Sequence, residues 1–474
     1  MNRFQTTQCP NTRAKAGPNT TAITVPSVLI AAMVWMLSVL VSQLEAAQTP
    51  PYMRLRDATL EYPGPVANFT NLSEYKIGWF GPTNLDDNLT GDLWWAARFA
   101  VENANSEISK PVPPGNSQLP RLPFRLVPRW AVNPWGTGVS LLARMVYEEN
   151  PIALLGSVDS ASTHLAEQVV AKAQLPLVSP VATDKSVTLA GVSWAFACAP
   201  SDDAIARVLV DHVFRTLQAG ASNRADLKTT RSIVMLSCTD HESRMTAREV
   251  MKQFSLRGRL PDYRLELPPG MESYFERIAA LEQTLEKSRQ TVLLIVAGPE
   301  DSARLLEAAR MRLCRGTGTP LRTISNSANS RPKTAEDDGE PRCAIFGTHA
   351  MARSRFLALA GANAEGVHLP ILFMPDPENP ATADFIRKFT MARGRAPDHA
   401  AALTYDAARL LIAAINSGGP NRARVREALL KLSPWQGIAG IIQFDGTGQN
   451  TRTNVAMGIV RGGAIVRLPQ PDPK

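Results

Sequence analysis

Between Pro151 and Asp203 the chain reads PIALLGSVDSASTHLAEQVVAKAQLPLVSPVATDKSVTLAGVSWAFACAPSDD, and two of its turns are rich in hydroxyls. The first, 156–162, follows an apolar stretch at 152–155. The second, from Ser179-Pro180 to Ala182-Thr183, follows another at 175–178. An amphipathic helix between them completes a βαβ unit. In open parallel sheets, ligands sit beyond the carboxyl ends of the strands, where both turns fall. Small residues there let a ligand approach the backbone, and free N–H groups at the following helix N-terminus attract anions. The chemistry on offer is capture of a small polar or anionic group. Signatures of catalysis are absent from the sequence: no Gly-x-Ser-x-Gly elbow, no His-Glu-x-x-His, no Walker loop. Thr163 and His164 are adjacent, but neighbours on a helix diverge by about 100°, so they do not form a nucleophile–base pair.

Those turns need a scaffold. Further strands are expected at 75–80, 124–128, 232–237, 291–297, 344–346 and 367–373. Helices are expected at 92–105, 138–149, 203–219, 242–256, 300–313, 381–393, 399–417 and 422–430. Two last strands, 438–444 and 454–460, are expected around a turn. Alternation of this kind predicts an α/β fold with parallel sheets covered by helices on both faces. The strands outnumber what one compact sheet needs, so two Rossmann-like lobes are expected. A chain of 474 residues, 44% hydrophobic, has the material for two or three domains.

The N-terminus reads differently. Arg3, Arg13 and Lys15 precede an unbroken apolar run at 25–41, with no charge before Glu45. This pattern fits a signal peptide over 1–47, cut near Ala46-Ala47-Gln48. The run also approaches the roughly 20 residues of a spanning helix, so a retained membrane anchor stays open. Both readings put the body in the periplasm or at the cell exterior. Residues 48–74 read as a loose leader. The net charge of +8 is spread over helix surfaces without interleaved aromatics, which argues against nucleic acid. Beyond Cys9 there are four cysteines, none at metal-ligand spacing. Cys314 and Cys343 flank the polar stretch 315–342 and could staple its base, while Cys198 and Cys238 lie near strand ends and read equally as buried thiols or as a bridge.

At this point the motifs resemble a family. Lys76-Ile77-Gly78 with Gly81-Pro82, the helix ending Ala100-Val101-Glu102-Asn103-Ala104-Asn105, and Gly156-Ser157 run in the same order as in the Leu/Ile/Val-binding proteins. So do Ser179-Pro180 with Ala182-Thr183, Ala199-Pro200-Ser201-Asp202-Asp203, Thr404-Tyr405-Asp406-Ala407 and Gly437-Ile438-Ala439-Gly440. These are type 1 periplasmic binding proteins that serve branched-chain amino acid ABC transporters. The resemblance covers most of 75–465. It implies two lobes joined by three crossovers, closing on a ligand cleft. Lobe one would span about 75–197 and 375–437, and lobe two about 198–374 and 438–465, with 315–342 a surface insertion. The crossovers would be 199–203, 374–379 and 437–440.

The resemblance also implies roles. A solute carboxylate would be held by Ser160, Ala182 and Thr183, with Ser162 nearby, and Thr90 would reach it from the first loop. The Ser and Thr residues among them would equally serve as helix caps. Family members carry an acid in lobe two to neutralise an ammonium. Here Asp240-His241-Glu242 fills one such loop and Gly347-Thr348-His349-Ala350 another. A histidine, with a reference pKa of about 6.5, is a poor partner for an ammonium. Either Glu242 or Asp240 takes that part, or the ligand is not a standard α-amino acid. The expected function is capture of an amino acid or related carboxylate, without cofactor or metal, for an ABC permease. A membrane-anchored sensor with a signalling partner is the alternative.

Overall fold

The computed structural model describes residues 69–108, 122–189, 194–218, 231–285, 290–314, 343–376, 378–452 and 455–469. The expected signal segment, most of the leader and the insertion 315–342 lie outside them. The first sheet is built from β1 (Tyr75–Phe80), β2 (Phe124–Arg129), β3 (Ala153–Gly156), β4 (Leu177–Ser179) and β5 (Ala195–Ala197). Between them run α1 (Gly91–Ile108), α2 (Val139–Arg144), α3 (Ser160–Ala173) and α4 (Ser186–Leu189). The strand order is β2-β1-β3-β4-β5, all parallel. After α5 (Asp202–Gln218) come β6 (Arg231–Cys238), α6 (His241–Leu256), β7 (Tyr263–Leu267), α7 (Ala279–Leu285) and β8 (Gln290–Val296). Next are α8 (Pro299–Arg312), β9 (Cys343–Gly347), α9 (Ser354–Ala360) and β10 (His368–Ile371). Their order, β7-β6-β8-β9-β10, repeats the first topology, and β13 (Ala456–Arg461) and β14 (Ala464–Arg467) extend it antiparallel.

Each sheet therefore changes winding direction beside its first strand, between β1 and β3 and between β6 and β8. Ligand crevices open at such points. Both faces of each sheet are covered, which is why the central strands are nearly all apolar. β3 is buried throughout, as are Val292 to Val296 of β8. In the first lobe Trp79, Leu155 and Phe196 pack against Ala407 and Leu411. Both come from α11 (His399–Gly418), which runs between the other two returning helices, α10 (Pro380–Arg393) and α12 (Arg422–Lys431). In the second lobe, Leu293 and Ile295 meet Leu306 and Phe356 on one face. Val292 and Leu294 meet Val210, Val250 and Phe254 on the other.

The chain passes from the first sheet to the second just after β5, leaves the second after β10, and re-enters it at β13. The third passage is displaced from the expected 437–440. That turn instead joins a small hairpin, β11 (Trp435–Gln436) with β12 (Ile441–Ile442). Residues 448–450 are still tied to the first passage: Ala197 N–H donates to Gly448 O at 2.9 Å. Asn450 Nδ2 donates to Cys198 O at 2.7 Å and Gln449 Nε2 to Ala199 O at 3.0 Å. The final antiparallel pair is likewise β13 with β14 rather than 438–444 with 454–460. An apolar run beside a glycine turn carries no mark of which strand it will join.

Two of the family-like motifs lock together here. The buried Asp406 carboxylate accepts the N–H of Ile438 at 2.8 Å and of Ala439 at 2.7 Å. Gly437 must be glycine at this point, because a Cβ would stand 2.3 Å from Asp406 Oδ2. Asp406→Asn turns one acceptor into an NH2 group facing an N–H. Chemical unfolding should show a loss of about 2–3 kcal/mol, and unchanged stability would mean the turn is held by other contacts. The Cys314–Cys343 disulfide is formed, and Cys198 and Cys238 are buried free thiols. No described helix is long and apolar enough to cross a membrane.

Candidate ligand cleft

A cavity of about 280 Å³ opens where the carboxyl ends of the two sheets face each other. From the first lobe it is lined by Leu89, Thr90, Val158, Asp159 and Val181, which follow β1, β3 and β4. The second lobe supplies Glu242 from the start of α6, Val296 to Pro299 at the end of β8 and just beyond it, and His349 and Arg353 after β9. His399, at the start of α11, joins the lining. Thr90 is half-buried at the rim, and its hydroxyl donates to Asp87 Oδ1 at 2.7 Å.

Ser160 is the node behind this cavity. It is fully buried, and its Oγ accepts the N–H of Thr183 and of Asp184, each at 3.2 Å. The same hydroxyl donates to Glu242 Oε2 at 2.8 Å, and Ala161 N–H donates to Glu242 Oε1 at 3.0 Å. A carboxylate thus sits on the first turn of α3, receiving a hydroxyl and a backbone N–H at a helix N-terminus. That is where the resemblance puts the carboxylate of a solute, and here it belongs to the opposite lobe. Burial and the nearby Asp159 charge push the Glu242 carboxyl up to about 8, against the pull of Ser160 and Ala161.

The remaining sequence candidates divide. His349 lines the cavity together with Glu242 and Thr90. Ser162 is bound to the cap of its own helix: its N–H donates to Asp159 Oδ1 at 2.7 Å, and its hydroxyl turns to the same oxygen. Asp240 caps α6 by accepting the N–H of Ser243 at 3.0 Å. Ala182 is buried, with its N–H on Ser179 Oγ at 3.3 Å. Thr183 turns its hydroxyl to the buried Asp202 carboxyl. Ser160, Ser162, Ala182, Thr183 and Asp240 are not on the cavity wall, and the Ser160 hydroxyl is joined to it only through Glu242.

Sequence reasoning missed Arg353 and His399. Arg353 Nε donates to Asp398 Oδ2 at 2.8 Å, and its guanidinium reaches Leu89 O across the cleft. Asp398 is the N-cap of α11, so an Asp before a helical run was the available signal. Burial opposes the Asp398 charge, but Arg353 holds its carboxyl well below the usual range. The rings of His349 and His399 meet edge to face, 5.8 Å between centroids. Burial and each other's neighbourhood lower His349 to about 3; burial lowers His399 to about 4 despite Asp398. Both are neutral at pH 7, and both Nδ1 atoms are buried without a hydrogen-bond partner. The lining therefore combines apolar side chains, two neutral imidazoles and the Arg353 guanidinium, with the Ser160 and Ala161 donors behind Glu242, a combination that suits a small carboxylate with an apolar body.

The same end of α6 makes a second interlobe contact. His241 Nε2 stands 3.2 Å from Asp184 Oδ2, which His164 Nε2 approaches at 3.1 Å. His164 Nδ1 faces Glu167 Oε2 at 3.0 Å. Hydrogen bonds to Asp184 and Glu167 push His164 up to about 10.

No curated protein sequence matches the chain. A family profile described as "Periplasmic binding protein" matches residues 333–464. Several solved structures share the architecture across most of the chain. One is an ABC transporter substrate-binding protein from Desulfitobacterium hafniense in complex with Leu. It is 20% identical over 83% of this chain and 100% of its own, with a TM-score of 0.61. Another is the leucine binding protein LivK from Thermotoga maritima, 18% identical over 83% and 98%, TM-score 0.63. A third is a solute binding protein from R. palustris in complex with benzoate, 15% identical over 83% and 95%, TM-score 0.61. The fold is that of the type 1 periplasmic binding proteins.

Proposed function

We propose that this chain is an extracytoplasmic solute-binding protein. It takes a small carboxylate with an apolar body into the cleft and presents it to an ABC permease. The observation that carries the reading is the Glu242 contact. Ser160 Oγ–H and Ala161 N–H are aimed at the two oxygens of one carboxyl group, and the Glu242 carboxyl is what they hold. The solute would take the place of that side chain as the lobes open and reclose. A cavity of about 280 Å³ lies at the small end of ligand pockets, the size of an amino acid rather than a peptide. The solved proteins of this fold that carry Leu or benzoate support both candidate classes, an α-amino acid and a plain carboxylate.

With an α-amino acid, Glu242 would move from the receptor to the ligand's ammonium. With a plain carboxylate it would simply leave. A thermal-shift panel of leucine, isoleucine, benzoate and 4-methylpentanoate tests the reading. A ligand at a hundred times its dissociation constant should add about 2.7 kcal/mol of stability. No shift with any member of the panel would overturn it.

A further inference from the structure

We propose that His164, Asp184 and His241 form a binding site for a divalent transition-metal ion, zinc foremost, that clasps the two lobes together. Two of the ligands come from the first lobe and one from the second. The three ligand atoms, His164 Nε2, Asp184 Oδ2 and His241 Nε2, all lie within 4.8 Å of one another. The two nitrogens stand 3.1 Å and 3.2 Å from the carboxylate oxygen. Around a tetrahedral zinc with bonds of about 2.0–2.1 Å, ligand atoms stand about 3.3 Å apart, so both nitrogen–oxygen distances already match and only the two nitrogens, within 4.8 Å of each other, have to adjust.

Three further features favour a metal over a hydrogen-bonded contact alone. His164 has its other nitrogen, Nδ1, at 3.0 Å from Glu167 Oε2. Such a carboxylate behind a histidine fixes its tautomer and raises its basicity as a ligand. Asp184 is 1% exposed, whereas the side chains of His164 and His241 are 22% and 30% exposed. The oxygen ligand is thus anchored in the protein and the imidazoles open to solvent, which leaves room for water as a fourth ligand. Two imidazoles and one carboxylate also match the borderline character of zinc and its neighbours. Calcium and magnesium need more oxygen ligands than this cluster holds.

The inference rests on the two-lobed fold and not on the solute. The test is made with no solute present, so its failure leaves the solute-binding reading untouched. Tag-free full-length protein is titrated with zinc chloride by calorimetry, with magnesium and calcium as controls. One zinc per chain is expected, with no response to the hard cations. His241→Gln retains a donor to Asp184 but is a poor metal ligand, and it should weaken zinc binding at least 100-fold. His164→Gln should do the same, and circular dichroism checks that both variants remain folded. Cobalt bound at the site should give the visible band of a tetrahedral nitrogen and oxygen set. Failure to bind zinc at micromolar concentration would overturn the proposal. So would zinc binding that survives His241→Gln, because the ion would then not bridge the lobes.

Discussion

Glu242→Ala should bind 4-methylpentanoate about 10–100-fold more tightly than the unaltered protein does. Glu242 is a tethered competitor, with its carboxylate already on Ser160 Oγ at 2.8 Å and Ala161 N–H at 3.0 Å. A side chain held by a short path acts at an effective concentration in the millimolar range, and a solute must outcompete it. Two hydrogen bonds to a carboxyl raised to about 8, and so mostly neutral at pH 7, each worth about 0.5–1.5 kcal/mol, set the upper limit of the gain. Rehydration of the displaced Glu242 offsets part of it, hence the smaller figure. Leucine has the same carbon skeleton plus an ammonium, so it separates the two ligand classes. It gains from the vacated receptor but loses the Glu242 carboxyl poised to face its charge, leaving Asp159 as the acid on the wall. Its affinity should rise less than that of the plain carboxylate, or fall. Calorimetry on both ligands with both proteins reads the four values. Equal affinity of 4-methylpentanoate for the two proteins would mean that Glu242 does not occupy the ligand's place.

This contact also marks the limit of what the sequence makes legible. The βαβ units are plain in it, because buried parallel strands are runs such as Thr-Val-Leu-Leu-Ile-Val and helices carry their own caps. β5 is only three residues long and offers no period to read. β7 alternates Tyr263, Leu265 and Leu267 with Arg264 and Glu266, the pattern of an edge strand guarded by charge. The β13–β14 hairpin had a readable signal in Gly462-Gly463, both at positive φ in a two-residue turn. The cleft is harder. Ser160 and Glu242 are both nameable from their turns, but they are 82 residues apart and come from different lobes. Local pattern gives each a cap or a ligand role. Only the fold shows that they satisfy one another. Asp240 and Ser162 are the reverse case, since the capping role that helix starts favour is the one they take.

Ser160→Ala should reduce both stability and solute affinity, and Thr183→Ala should separate the two. Ser160 Oγ is the acceptor for two buried N–H groups, those of Thr183 and Asp184. Removing it leaves both without that partner, at about 1–3 kcal/mol each. A loss of about 3 kcal/mol is therefore expected in chemical unfolding, more than the roughly 1 kcal/mol of an ordinary cap. The hydroxyl is also one of two donors to the bound carboxylate. Its loss should weaken solute binding by about 1.5–3 kcal/mol, or roughly 10–100-fold. Thr183 donates its hydroxyl to Asp202 instead, and Asp202 is further held by Thr246 Oγ1 at 2.8 Å. Thr183→Ala should accordingly cost stability and leave affinity within about twofold. The comparison works because the two residues touch, Thr183 N–H donating to Ser160 Oγ at 3.2 Å, but turn their hydroxyls to different carboxyl groups. If Thr183→Ala weakens the solute as much as Ser160→Ala does, the Thr183 hydroxyl must swing to the ligand in the loaded state. The receptor would then consist of both hydroxyls rather than Ser160 and the Ala161 N–H.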